Sequence, residues 1–220
     1  MTSAAKRVGL SSRGIVRLSP AELSSELGEI RTIALFGGIG ARDWPAFAAS
    51  PEYSDGAPDP LDRWSRRLIG ALAEAFGAIA LYPFDGPPYH PFQRWAQRAE
   101  PVFPSPLGLL IHAEYGLWHN YRGALAFAEA IEAPPRQSGA NPCEACAERP
   151  CLSACPVEAF SDDGYDLKAC AGHLRAPEGD DCMQRGCLAR RACPIGRDYM
   201  HGGGQAEFHM RAFLRSRANI

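Results

Sequence analysis

The stretch CEACAERPCLSACP, residues 143 to 156, puts four cysteines into thirteen residues and closes on a Cys-Pro pair. Its spacing is C-x2-C-x4-C-x3-C-P, through Cys143, Cys146, Cys151 and Cys155. A lone Cys170 follows, and Cys182, Cys187 and Cys193 then form a second run, C-x4-C-x5-C-P. All eight cysteines of the chain lie from Cys143 onward. In a reducing compartment, thiols crowded this way are metal ligands rather than disulfide partners, because they stay available as thiolates. The basic residues of the opening MTSAAKRVGLSSRG lead into no continuous apolar segment, and nowhere do 18 apolar residues run together. Neither export nor a membrane span is indicated, and a cytoplasmic location is expected.

Two runs that each end in Cys-Pro, with no thiol left over, predict two 4Fe-4S clusters. In the bacterial two-cluster ferredoxin run, C-x2-C-x2-C-x3-C-P, three cysteines wrap one cubane and the fourth reaches the neighbouring cluster. The runs here resemble it, with a longer second gap and a looser second run. By that handover, Cys143, Cys146 and Cys151 share one cluster with Cys193, and Cys155, Cys170, Cys182 and Cys187 hold the other. Zinc is the competing reading: two sites of four thiolates would also use eight cysteines, and zinc tolerates varied spacing. Zinc sites, however, need neither the Cys-Pro ends nor an exchange of ligands between runs. Arg190 and Arg191, just before Cys193, either offset a cluster's negative charge and tune its potential or form a solvated face.

With 220 residues, 46% hydrophobic and 22% charged, the chain has room for one good core and a small appended module. The boundary falls in APPRQSGANP, residues 133 to 142, where proline, glycine and polar residues interrupt any periodic pattern. Domains of 1–138 and 139–220 follow from it. In the first, GIVRL (14–18), RTIALFGG (31–38), AIALYPF (78–84), LGLLIH (107–112) and GALAF (123–127) have the pattern of buried strands. Leu61, Trp64, Leu68, Leu72 and Phe76 recur at helical spacing, with Asp59 as N-cap, Pro60 at the first helical position and Gly77 as the stop. A second helix is expected over 91–100. Strands mixed with helices make this part α/β or α+β with one central sheet. The tail is poor in core material and needs a covalent or metal staple. Its last helix, 204–217, with Ala206, Met210, Phe213 and Leu214 on one face, is expected to pack back on the first domain. A net charge of -2 supplies no broad basic field, so nucleic acid is not an expected partner.

The order of eight cysteines, with one alone between two Cys-Pro runs, resembles the ferredoxin module of epoxyqueuosine reductase and, more distantly, of corrinoid-dependent reductive dehalogenases. Upstream, LGLLIHAEYGLWHNYRGAL (107–125) is similar to the segment that borders the corrin pocket in those enzymes and in the cobalamin-processing dealkylase. FDGPPYHPFQRWAQRAE (84–100) resembles the reductase segment carrying an aspartate proposed as proton donor, which falls on Asp85. The resemblance implies an α+β, nitroreductase-like core holding a flat cofactor, cobalamin or alternatively flavin, served by a two-cluster ferredoxin-like module. It departs at FPSPLG (103–108), which replaces a glycine-rich turn containing lysine, and at Ala113, where proline is usual.

For single residues both readings stand side by side. Asp85, before Gly86, Pro87 and Pro88, is either a turn residue capping its own loop or the acid of the resemblance. His112 is either a hydrogen-bonded packing residue at a strand end or a cofactor contact. Tyr115, Gly116 and Trp118 are either an aromatic hairpin or a wall against a macrocycle, with Arg122 serving a cofactor's polar edge. GGIG (37–40) lacks the third glycine of a dinucleotide fingerprint. HGGG (201–204) has no G-x-S-x-G elbow to act with. The expected function is an iron-sulfur oxidoreductase that takes electrons from a donor of the ferredoxin or flavodoxin reductase type. It passes them to a corrinoid or small-molecule substrate, with Asp85 as acid. The alternative is a ferredoxin-type electron carrier without a small-molecule site.

Overall fold

The computed structural model describes residues 1–19, 28–136, 138–161 and 164–217; Gln137, in the expected boundary stretch, lies outside them. In chain order the elements are α1 (Thr2–Arg7), β1 (Ser11–Arg17), β2 (Thr32–Gly37), α2 (Trp44–Ala48), α3 (Pro51–Ser54), α4 (Pro60–Phe76), β3 (Ile79–Leu81), α5 (Phe92–Ala99), β4 (Val102–Pro104) and β5 (Leu110–His112). They continue with β6 (Gly123–Phe127), α6 (Pro150–Ser153), β7 (Phe160–Ser161), β8 (Gly164–Tyr165), α7 (Leu167–Arg175), α8 (Asp180–Arg185), α9 (Leu188–Ala192) and α10 (Gly203–Arg215). The class is α+β, and among the described residues every strand pairing is antiparallel. No helix there is long and apolar enough to cross a membrane. The chain divides into two compact units, Met1–Pro101 with His119–Ser138, and Val102–Trp118 with Gly139–Ile220.

The first unit is built on one sheet of order β1-β2-β6-β3. β6 pairs antiparallel with both β2 and β3, so those two run the same way with α4 as their crossover. Every residue of β2 and β6 is buried, which is why their sequences are continuous apolar runs without alternation. α4 buries Trp64, Leu68, Ile69 and Leu72, and Ile69 lies against Gly123 at the start of β6. Pro60 begins the helix and Gly77, at φ 62, ends it in the left-handed conformation. Asp59 occupies the N-cap, but its side chain caps nothing; its carbonyl accepts from the amides of Asp62 and Arg63 instead. The strand expected over 78–84 shortens to Ile79–Leu81, because Pro83 has no N–H to contribute.

The second unit contains two short ladders, β4 with β5 and β7 with β8, and the helices from α6 onward. The segment expected as a strand at 107–112 pairs with its near neighbour: Val102 faces His112 and Phe103 faces Ile111. It belongs to this unit and not to the central sheet, since Leu107, Ile111 and Leu117 are buried together with Ala189 and Cys193. A side chain of Asp166 caps α7 by accepting from the Ala169 amide at 2.8 Å. α10 packs on α8 of its own unit, with Gln205 and Ala206 as its buried residues. Met210, Phe213 and Leu214, expected to face the first domain, are half-buried.

Candidate metal centre

All eight cysteines carry free thiols, and two short helices distribute them. α6 and α9 pack on one another. Cys151 lies in α6 and Cys155 just beyond it, while Cys187 is the N-cap of α9 and Cys193 its C-cap. Cys143, Cys146, Cys151 and Cys193 line one concavity whose walls include Pro142, Pro150, Pro194, Ile111 and Ile195. Among the described residues, no three His, Cys, Asp or Glu side chains converge on the position of a single metal ion.

Electrostatics divides the thiols in the same way. Burial raises the Cys143 thiol, and the charged forms of Cys193, Cys151 and Cys146 raise it further. Burial likewise raises Cys151, ahead of Cys193 and Cys146. In the other group burial raises Cys170, whose sulfur accepts from the Tyr165 hydroxyl while Cys155 and Cys182 repel it. Burial raises Cys187, with Cys170 and Cys155 adding to it, and raises Cys182, with Cys187 adding to it. The strongest thiol repulsions therefore stay inside two groups of four. Thiols that resist ionising because they are buried beside like charges become thiolates when a metal shares that charge.

Backbone donors are already in place. The sulfur of Cys155 accepts from the Ala159 amide at 3.3 Å. Cys151 accepts from Leu152, Cys182 from Leu188, Cys187 from Arg190 and Ala189, and Cys193 from Ile195. Such hydrogen bonds favour the charged sulfur and are among the levers that set cluster potentials. Nothing in the spacing announces Tyr165 as a donor to Cys170. The fold brings it there through β8, the strand that precedes α7.

The remaining predicted site residues fall in two places. His112, Tyr115, Gly116 and Trp118 belong to the second unit, Asp85 and Arg122 to the first. His112 is buried, its Nδ1 accepting from the amides of Glu114 and Tyr115 at 3.0 and 3.1 Å, and its ring stacks on Tyr115. Gly116, at φ 58, lies against the Ile195 carbonyl. Trp118 is buried beneath the Arg190 guanidinium, 4.2 Å from its ring centroid. Arg122 forms an ion pair with Asp62 and donates to Ser65 Oγ at 3.0 Å. Asp85 forms an ion pair with Arg66, which also covers the rings of Tyr82 and Phe84.

The first unit holds a polar centre that the sequence reading missed. Arg13, fully buried on β1, donates from Nε to Glu100 at 3.0 Å and from Nη1 to the Gly38 carbonyl at 3.2 Å, and Tyr121 donates to the same carboxylate oxygen at 2.7 Å. Burial pushes Glu100 up against the opposing pull of Arg13. GGIG is part of this centre, since Gly38 exchanges hydrogen bonds with Asn120. An arginine in a strand pattern was the available signal.

No protein-family model matches the chain, and no curated protein does. Among solved structures, the fold is similar to that of epoxyqueuosine reductase from Streptococcus thermophilus, with a TM-score of 0.48 and 18% identity over 91% of this chain and 66% of that one. It is also similar to the crystal structure of epoxyqueuosine reductase with a tRNA-Tyr epoxyqueuosine-modified stem loop. There the TM-score is 0.49 and the identity 14%, over 90% of this chain and 64% of that one. The chain spans about two thirds of the length of these structures.

Proposed function

We propose that the chain is an iron-sulfur oxidoreductase in which each group of four thiols holds one 4Fe-4S cluster. The gathering of eight thiols into two fours that cross at α6 and α9 carries this reading. When bound, such clusters supply one-electron transfer at potentials set by charge and hydrogen bonding. The chain's part is to hold them: eight sulfurs supply the ligands, amide N–H groups and Tyr165 donate to those sulfurs, and apolar walls around Cys143 and Cys193 limit water. The electron acceptor in this reading is a cobalamin, or alternatively a flavin, with Asp85 as the acid that protonates the reduced substrate. This half rests on the sequence resemblance of 84–125.

A second reading, an electron carrier with no small-molecule site, has its own support. His112, Gly116, Arg122 and Asp85 all have partners inside the protein.

Anaerobic purification followed by iron, sulfide and zinc analysis tests the centre. About eight irons per chain are expected, and zinc in their place overturns the reading. Titration of the loaded protein with cobalamin and then with flavin mononucleotide separates the two functions. A spectral change with either supports the reductase, and silence with both leaves the carrier. For the reaction, an epoxyqueuosine-modified tRNA stem loop is the trial substrate. The acid-base balance of the chain does not predict that partner, so the trial also corrects or upholds it. Asp85→Asn is expected to lower turnover at unchanged iron content.

A further inference from the structure

Arg190 is unusual among the cations of the second unit. It sits in the middle of α9, between Cys187 at one end and Cys193 at the other. Its Nε and Nη2 both donate to the Leu117 carbonyl, at 3.1 and 2.5 Å, and its plane covers Trp118. Arg191, its neighbour, is paired with Asp181, as are Arg185 and, on α10, Arg211 with Glu207. Among the described residues no carboxylate pairs with Arg190. Burial lowers its pKa to about 10, and the charge that opposes this is Cys187. His201, whose ring lies edge-on to Trp118, offers no compensation either: burial first, then the charge of Arg190, push it down to about 2, so it stays neutral.

Arg190 is half-buried, and a cation drawn partly out of water is costly unless an opposite charge faces it. Here a carbonyl and an indole face supply partial compensation, and among the described residues no carboxylate supplies the opposite charge. A cluster with its four thiolates carries net negative charge, and reduction makes it more negative. We propose that Arg190 is the built-in counter-charge of the thiol group that contains Cys187, and that it raises the reduction potential of the cluster held there. The proposal rests on the iron-sulfur reading. The carbonyl of Leu117 fixes where the charge sits, so Arg190 is a positioning residue for the field and touches no reacting atom.

The test is a potentiometric titration of anaerobic, iron-loaded protein, followed by electron paramagnetic resonance, for wild type, Arg190→Met, Arg190→Gln and Arg190→Lys, with Arg185→Met as control. Arg185 lies on the same module but is 69% exposed, so its charge is screened. The neutral variants are expected to make one couple about tenfold harder to reduce, a fall of about 59 mV for one electron. Arg190→Lys and Arg185→Met are expected to stay near wild type. Unchanged couples in loaded Arg190→Met and Arg190→Gln overturn the proposal while leaving the iron-sulfur reading intact. If both neutral variants fail to load iron, Arg190→Lys decides. Full loading of the lysine variant supports a counter-charge, and its failure shows a purely structural role and overturns the proposal. Wild-type protein without iron sinks the underlying reading instead.

Discussion

Gly116 faces the Ile195 carbonyl so closely that a Cβ added to it would lie 2.1 Å from that oxygen. The approach is mutual, since a Cβ on Gly196 would lie 2.3 Å from the Tyr115 carbonyl carbon. Both glycines have left-handed backbones, at φ 58 and 73. The segment after β5 is thereby seated on the loop that follows Cys193. Gly116→Ala combines left-handed strain with a backbone clash and is expected to cost about 2 to 5 kcal/mol. Thermal unfolding checks it. Gly196→Ala should cost about as much, and the double variant less than the sum, because either change forces the same two segments apart.

Arg13 and Glu100 make a second prediction. Arg13 is fully buried and paired with Glu100, so Glu100→Gln removes the charge that its guanidinium meets there. A loss of about 3 kcal/mol is expected, measured as a fall in the denaturant midpoint. Tyr121→Phe removes one hydrogen bond to the same oxygen and should cost about 1 kcal/mol. A Glu100→Gln protein as stable as wild type would show that the pair contributes nothing.

Glu52 predicts a pH dependence. Hydrogen bonds from Arg67, at 2.5 and 2.8 Å, hold its carboxyl at about 2 in place of the usual 4.5. A folded-state pKa below the unfolded one stabilises above pH 4.5, and that contribution disappears as pH falls towards 2. Arg67 is half exposed, which limits the gain to about 1 kcal/mol. Unfolding of wild type and Glu52→Gln should therefore differ at pH 7 and converge in acid. Whatever else acid does to the protein is common to both, so the difference isolates this pair.

The thiol groups make a fourth prediction. Cys143→Ser and Cys193→Ser are expected to remove the same cluster, leaving about four irons per chain and the same residual spectrum. Cys155→Ser and Cys187→Ser should leave the complementary spectrum. If Cys193→Ser instead matches Cys187→Ser, the handover between the runs is wrong.

Much of the fold was legible because it is written in short-range pattern. The α4 face through Trp64, Leu68 and Leu72, its stop at Gly77 and the buried runs of β2 and β6 follow from spacing and from what proline and glycine do to a backbone. Asp59 shows the limit of such reading, because the N-cap position was right and the side chain still makes no cap. Leu110–His112 shows another, since a strand pattern carries no label for its partner, and the partner proved to be the nearby 102–104.

By itself, the order of residues determined that the tail is a thiol centre and the head a layered sheet-and-helix body, since cysteine density and apolar period are local properties. Only the tertiary structure decided that Cys193 meets Cys143, that Asp85 meets Arg66, that Gly116 meets Ile195, and that no carboxylate among the described residues pairs with Arg190. These are encounters between residues far apart in the chain, and they depend on which segments fold against which, a choice that no local spacing encodes.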